Sequence, residues 1–314
     1  MSRGRSSRPA ARKTIMSKGK PLFAFFGTPI FAVNVLSALE ARGLLPALVV
    51  TAPDKPRGRG QEVSPSPAKT WALERGVETI EPATLRDEAL VAELGNTDWD
   101  VFVVAAYGKL IPKNILDIPR RGSLNIHPSL LPKFRGPSPA LSAILADERS
   151  TGVSIMQMTE TMDAGPVVAQ ARIELEEEAP GSPKPGEGGW PPKGSMFEEL
   201  LAAEGGNLLA EILPDWIAGV ITPAAQDERL ATFTKKFTDE DARIDLMGDA
   251  RKNLLKIRAF DRSPRAYFIN EKGKRVIITE AAVEDGALVI KKVIPEGKKE
   301  MDFTAYQSGL GQSL

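Results

Sequence analysis

"WDVFVVAAYGKLIP", residues 99–112, decides the architecture. From Val101 to Ala106 the run is apolar without a polar gap, and Gly108 and Pro112 punctuate the residues after it. A strand with one wet face would alternate polar and apolar residues. An uninterrupted run reads instead as a central parallel strand covered on both faces. Working outward, "PLFAFFGTP" (21–29) is a second such run, and "FAVNVLSALEARG" (31–43) has helical spacing with Gly43 as its stop. "LPALVVTAP" (45–53) is a strand, and "KTWALERGVETIEPATL" (69–85) holds a helix and a short strand. Beyond the central run come a short strand ending at His127, a helix in "PALSAILADE" and two strand-like runs in "TGVSIMQMTETMDAGPVVAQARIEL" (151–175). Strands alternating with helices at this spacing predict an α/β fold, a doubly wound, mostly parallel Rossmann-like sheet.

The remainder divides by composition. Residues 179–194, "APGSPKPGEGGWPPKG", are dense in Pro and Gly and read as an insertion loop. "SMFEELLAAEGGNLLAEILPDWIAG" (195–219) resumes helical spacing. The polar, weakly periodic stretch after it reads as a linker, taken as 223–242. Residues 243–314 then hold one helix, "ARKNLLKIRAF", and three strand-like stretches, "RAYFIN", "RVIITEAAV" and "ALVIKKVIP". The domain expectation is therefore a basic tail (1–20), a catalytic unit (21–222), a linker, and a small basic β unit.

Charge and composition exclude several classes of function. There is no cysteine and only one histidine among 314 residues, which removes thiolate nucleophiles, disulfides and multi-histidine metal cages, so no metal is expected. No apolar stretch reaches the roughly 20 residues that span a bilayer, so no membrane is expected. The net charge of zero conceals an asymmetry: residues 1–20 carry seven basic side chains and no acid, while residues 251–300 carry 13 basic against 7 acidic. A basic module beside an acidic body suits a polyanionic partner, although a solvated lysine-rich surface has the same composition. The acid-free tail fits either a transit peptide or a disordered arm and is read as the latter. The expected location is cytoplasmic, or organellar if the tail is a transit peptide.

"RGRG" near residue 57 lacks the third glycine and the strand-to-helix context of a dinucleotide fingerprint. What remains for chemistry is Asn125, His127 and Asp163. Pro128 biases His127 toward extended backbone, so the imidazole stands where a strand ends, the edge at which open α/β sheets bind ligands. Asn125 and His127 are two apart and share a face of that strand. An amide donor beside an imidazole suits acyl transfer, the amide for an oxyanion and the ring for a proton. Asp163, between two strand-like runs, can reach back to orient the ring. Taken singly, each also has an ordinary structural use, as a buried histidine or a turn residue.

At these residues the chain resembles a known family. "SLNIHPSLLPKFRGPSP" followed by "GVSIMQMTETMDAG" is similar to the formyltransferases that use 10-formyltetrahydrofolate. "FFGTPIFAVNVLSAL", "VVTAPDKPRGRGQEVSPSPAK", "AAYGKLIP", "QDERLATFTKKFTDEDARID" and "VIPEGKKEMDFTAY" narrow the resemblance to the methionyl-tRNA formyltransferases. The resemblance implies formyl transfer from 10-formyltetrahydrofolate to the α-amino group of initiator methionyl-tRNA, by a monomer. It implies catalytic roles for Asn125, His127 and Asp163, with Asn125 and His127 together stabilising the oxyanion. It also implies folate contacts from Ser129, Leu130, Leu131, Pro132, Tyr107, Gly108 and Leu110. Arg57, Arg59, Lys235 and Lys236 would meet the tRNA. The C-terminal unit would be an OB-like barrel, here apparently shortened by about one hairpin. The rival readings are a sugar-nucleotide N-formyltransferase and a catalytically inert tRNA-binding protein.

Overall fold

The computed structural model describes residues 20–57, 62–177 and 189–311. The chain runs through β1 (Phe23–Gly27), α1 (Ile30–Ala41), β2 (Leu48–Val50), β3 (Lys55–Arg57), β4 (Glu62–Ser64), α2 (Pro67–Glu74) and β5 (Glu78–Ile80). It continues through α3 (Glu88–Gly95), β6 (Val101–Ala105), α4 (Lys113–Leu116), β7 (Ser123–His127), α5 (Pro139–Leu145), β8 (Ser150–Gln157), β9 (Val167–Glu174) and α6 (Gly194–Ala218). The last part holds α7 (Ala250–Ala259), β10 (Tyr267–Ile269), β11 (Arg275–Glu284), β12 (Ala287–Pro295), β13 (Met301–Asp302) and α8 (Phe303–Gly311).

Seven strands form one sheet in the order β5-β2-β1-β6-β7-β8-β9, parallel from β5 to β7 and antiparallel beyond. All five residues of β1 and of β6 are buried, as uninterrupted apolar runs require. One sheet face packs on α1 and α6: Phe23, Phe25, Val101, Val103, Leu124 and Ile126 meet Val35, Leu36, Leu39, Ala202 and Leu209. Ala24, Phe26, Phe102 and Val104 face the other way, toward Leu90, Leu94 and Ile115. Helix α2 starts cleanly because Ser66 accepts the Lys69 amide with proline at the first helical position.

The C-terminal strands make a separate antiparallel sheet, β10-β11-β12-β13, matching the three strands expected and adding the two-residue β13. It is not loosely attached. A single apolar cluster joins Ala143, Ile144, Phe197 and Leu201 to Leu255, Phe260, Val276, Ile278 and Val293. Trp190 lies in that cluster and is fully buried, its ring edge-on to Phe197 with centroids 6.0 Å apart. The Pro/Gly-rich stretch therefore ends in core rather than loop at Trp190, and Gly194 already opens α6. The part of the stretch within 178–188 lies outside the described residues.

Candidate active site

The strand order reverses between β1 and β6, which opens a crevice at their carboxyl ends. Gly27 is required there: a Cβ would lie 2.6 Å from the Ala32 Cβ and 2.9 Å from the Ala105 carbonyl. The hydroxyl of Thr28 donates to the Tyr107 carbonyl (3.3 Å) and accepts from the Ala52 amide (3.3 Å), tying together the loops after β1, β6 and β2.

His127 closes β7, beside this crevice. Leu124 and Ile126 point into the core under α1 and α6, so Asn125 and His127 share the opposite face. Asn125 is half-buried, and its side-chain amide makes no hydrogen bond to another of the described residues. The His127 side chain is 4% exposed. Its Nε2 lies 3.0 Å from the Phe134 carbonyl, which can only accept, so Nε2 carries a proton. Nδ1 faces Asp163 Oδ1 at 3.7 Å, too long for a hydrogen bond but close for two charges. Burial pushes the imidazole pKa down, the Asp163 charge and the Phe134 carbonyl push it up, and burial prevails. The ring is thus a neutral base at pH 7, with its lone pair on Nδ1 aimed toward the carboxylate.

Asp163 occupies the turn between β8 and β9 with a left-handed backbone, φ +51°. Its Oδ2 accepts the Gly136 amide at 2.8 Å. The following Gly165 is obligatory, since a Cβ there would lie 1.8 Å from the Gln157 carbonyl. The structure therefore brings all three expected catalytic residues to one edge of the sheet.

The "SLLP" turn caps this edge. The Ser129 hydroxyl donates to the Lys133 carbonyl (2.6 Å), and the Ser154 hydroxyl donates to the Ser129 carbonyl (2.6 Å) while accepting from Leu131 N (3.0 Å). Gln170 Nε2 donates to the Leu131 carbonyl (2.9 Å). Ser129 and Leu131 are thus buried and bonded inward, leaving half-buried Leu130 and Pro132 as the turn's outer surface. In the loop after β6, Tyr107 is buried edge-on against Phe26, and burial pushes its phenol up to about 12. Gly108 has φ +80°, and Leu110 is 72% exposed at the rim of a recess of about 220 Å³ with Leu85, Arg86 and Pro112.

Arg57 ends β3, one strand of a short ribbon with β4 that comes after the β2 loop. Arg59 lies outside the described residues. Lys235 and Lys236 are exposed; Lys235 is paired with Asp241. Both lie just beyond Thr232 and Thr234, which bond the backbone next to His127: Phe134 N donates to Thr232 Oγ1 (2.8 Å), and Thr234 N donates to the Arg135 carbonyl (2.7 Å). The segment expected to be a linker is therefore bound along the site. Arg135 and Gln226, which hold it there, were not singled out. Their only signal is a lone arginine before glycine in "KFRGP" and a glutamine in a polar run. Among the described residues no group of three or more His, Asp or Glu is placed to hold a metal.

Residues 20–180 match the formyl transferase family model, a span that contains Asn125, His127 and Asp163. The sheet and its edge are thus those of a formyl-transferring enzyme. The chain is 42% identical over 259 residues to a methionyl-tRNA formyltransferase of Chloroflexus aggregans, covering 82% of this chain and 79% of that protein. It is 36% identical to the same enzyme of Listeria innocua, covering 92% and 96%. The chain belongs to the methionyl-tRNA formyltransferase family. Among solved structures its fold is similar to a methionyl-tRNA formyltransferase from Clostridium thermocellum (TM-score 0.55, 15% identity, 88% and 98% covered). It is also similar to a sugar N-formyltransferase from Shewanella (0.57, 18%, 87% and 99%) and to HypX from Aquifex aeolicus in complex with tetrahydrofolic acid (0.60, 19%, 93% and 48%).

Proposed function

We propose that this protein transfers the formyl group of 10-formyltetrahydrofolate to the α-amino group of initiator methionyl-tRNA. The observation that carries the reading is the juxtaposition of Asn125, His127 and Asp163 at the sheet edge, beside the strap, the segment 224–234 that leads to Lys235 and Lys236. When bound, the folate supplies the activated formyl carbon; Leu110, Leu130 and Pro132 are its proposed apolar contacts, Tyr107 and Gly108 offer backbone groups, and buried Ser129 and Leu131 shape the turn. Asn125 donates its amide N–H to the formyl oxygen as charge develops there, a contact of the kind whose removal costs about 10²–10³ in turnover. His127 takes the proton shed by the attacking amine on Nδ1. Its Nε2 is already engaged with Phe134, which supports proton transfer as the ring's contribution and leaves the oxyanion to Asn125. Asp163 stabilises the imidazolium until the proton passes to the departing nitrogen.

The proposed tRNA surface runs from the ribbon that Arg57 ends across Lys235 and Lys236 to the C-terminal unit, with Arg59, outside the described residues, kept as a proposed contact. There Arg265, Arg275, Lys298 and Lys299 line a groove of about 480 Å³, which suits a phosphate backbone. Residues 21–222 would act as the catalytic unit and 243–314 as the basic accessory. Action as a cytoplasmic monomer belongs to the same proposal. The test is formyl transfer with charged initiator tRNA and, in parallel, an amino-sugar nucleotide. Turnover on the tRNA that Asn125→Ala lowers at least 10²-fold, with tRNA affinity kept, supports the assignment. Turnover on the sugar nucleotide alone would replace the acceptor.

A further inference from the structure

We propose that Gln226, acting with Arg135, is a positioning residue that locks the Asp163 turn to the Phe134–Gly136 segment and so sets the distance between Asp163 and His127. The proposal rests on the formyl-transfer reading of this site and extends it to residues that touch neither substrate. The two walls of the histidine come from different parts of the chain. Phe134 supplies the carbonyl on Nε2, and Gly136 supplies the amide that holds the Asp163 carboxylate. Asp163 itself comes from the β8–β9 turn.

One side chain joins the two walls. The Gln226 Oε1 accepts from Arg135 Nε (3.1 Å) and Nη2 (2.8 Å), while its Nε2 donates to the carbonyls of Asp163 (2.9 Å) and Gly165 (2.7 Å). These partners determine the amide's orientation: the guanidinium can only donate and the two carbonyls can only accept. A glutamate would keep the arginine but set a carboxylate against two carbonyl oxygens. Arg135 is 3% exposed, and the other bonds of its guanidinium go to Glu228, at 2.9 Å from Nη1 and 2.8 Å from Nη2.

Backbone geometry shows why such a lock is needed. Phe134 (φ +59°), Gly136 (φ +113°) and Asp163 (φ +51°) all hold left-handed conformations around one imidazole. Non-glycine residues stay in that region only where surroundings over-determine them. The surroundings here are the strap. It pairs with β9 through Val167 and Ala224, then with Phe134 and Arg135 through Thr232 and Thr234. Thr234 lies so close to Gly136 that a Cβ there would come 2.8 Å from its hydroxyl oxygen. The charge acting on the ring is Asp163, from the β8–β9 turn, and toward the strap the ring meets the Phe134 carbonyl. Freeing the Asp163 turn withdraws the carboxylate that holds a charge against Nδ1.

The test compares wild type, Gln226→Ala and Gln226→Glu by steady-state kinetics against pH and by NMR titration of the single histidine in the free protein. Both variants are expected to lose about 10²-fold in kcat, the cost of roughly 1 Å of misplacement, with KM for folate and tRNA changed less than about threefold. In Gln226→Ala the acidic limb of the kcat profile and the His127 titration should both move to lower pH. In Gln226→Glu the added carboxylate acts on the ring in the opposite direction, so that variant is read by kcat against KM. An unmoved histidine titration with unchanged kcat overturns the proposal, as does a loss confined to KM for tRNA. If Gln226→Ala does not fold, Gln226→Glu carries the comparison. Because the NMR arm needs no substrate, it judges the lock even if the wild type proves inactive on tRNA, which would refute the acceptor assignment instead.

Discussion

Replacing Asp163 by Asn changes one charge 3.7 Å from the only imidazole in the protein. At an effective dielectric near 20, opposite unit charges at that separation attract by about 4 kcal/mol, which sets an upper bound of roughly 3 pH units on the shift. Carboxylates this close usually raise a partner by about 1–3 units. Burial already holds His127 below its ordinary value with Asp163 present. The variant leaves burial opposed only by the Phe134 carbonyl, so the ring should titrate lower still. Stability responds with a definite sign. A histidine whose folded pKa lies below its unfolded value is protonated more readily in the unfolded chain. The stabilisation it contributes is therefore full above the unfolded value, about 6.5, and is lost as pH falls below it. In Asp163→Asn this loss should continue to lower pH than in wild type. NMR of the lone histidine reads the titration without assignment ambiguity, and denaturant melts between about pH 4 and 8 read the stability slope. Turnover should drop about 10²–10⁴-fold, the range for disabling proton transfer. An upward shift, or none, would refute the claim that Asp163 acts on His127 through charge.

Trp190→Ala should destabilise by about 3–5 kcal/mol, since a fully buried indole leaves a cavity and the Asp147 carboxylate loses its N–H partner. Calorimetry should show Tm lower by roughly 5–8 °C, and an unchanged Tm would mean that Trp190 is not core. Gly165→Ala meets the Gln157 carbonyl and should sharply lower turnover by displacing the Asp163 turn, read as kcat on folded protein; full activity would contradict that geometry. Asp147 is held below the usual carboxylate range, chiefly by Arg251 and also by Trp190. This contribution is present above about pH 4 and lost as pH falls through the depressed value, so Arg251→Ala should cost stability at pH 7 and less at about pH 3. Arg57→Ala should raise KM for tRNA more than it lowers kcat, and a pure kcat effect would move Arg57 out of the tRNA surface.

The parallel core was legible because β1 and β6 are buried on both faces and so carry apolar runs no other arrangement needs. The antiparallel turn of the sheet at β8 was not, because burial of alternate or consecutive residues is the same whichever way a neighbouring strand runs. The three-residue strands β3 and β4 are too short for periodicity to register. Trp190 was hidden by its neighbours: Pro and Gly report local backbone freedom, whereas its burial comes from packing on Phe197, in α6. Asn125 and His127 stood out because strand spacing puts them on one face. Asp163, in a "DAG" stretch that reads as an ordinary turn, was marked only by lying between two strand-like runs and by the resemblance to the formyltransferases. Gln226 did not stand out. Its partners Arg135 and Asp163 are 91 and 63 residues away, and nothing in a polar run marks one glutamine as bonded on both ends.

The most direct test of the account is formyl transfer from 10-formyltetrahydrofolate to charged initiator methionyl-tRNA, for wild type and His127→Ala side by side. The account predicts robust turnover by wild type and a loss of at least about 10²-fold in the variant, with tRNA binding retained. Equal turnover by the two proteins would contradict it, because the single histidine would then have no part in the chemistry.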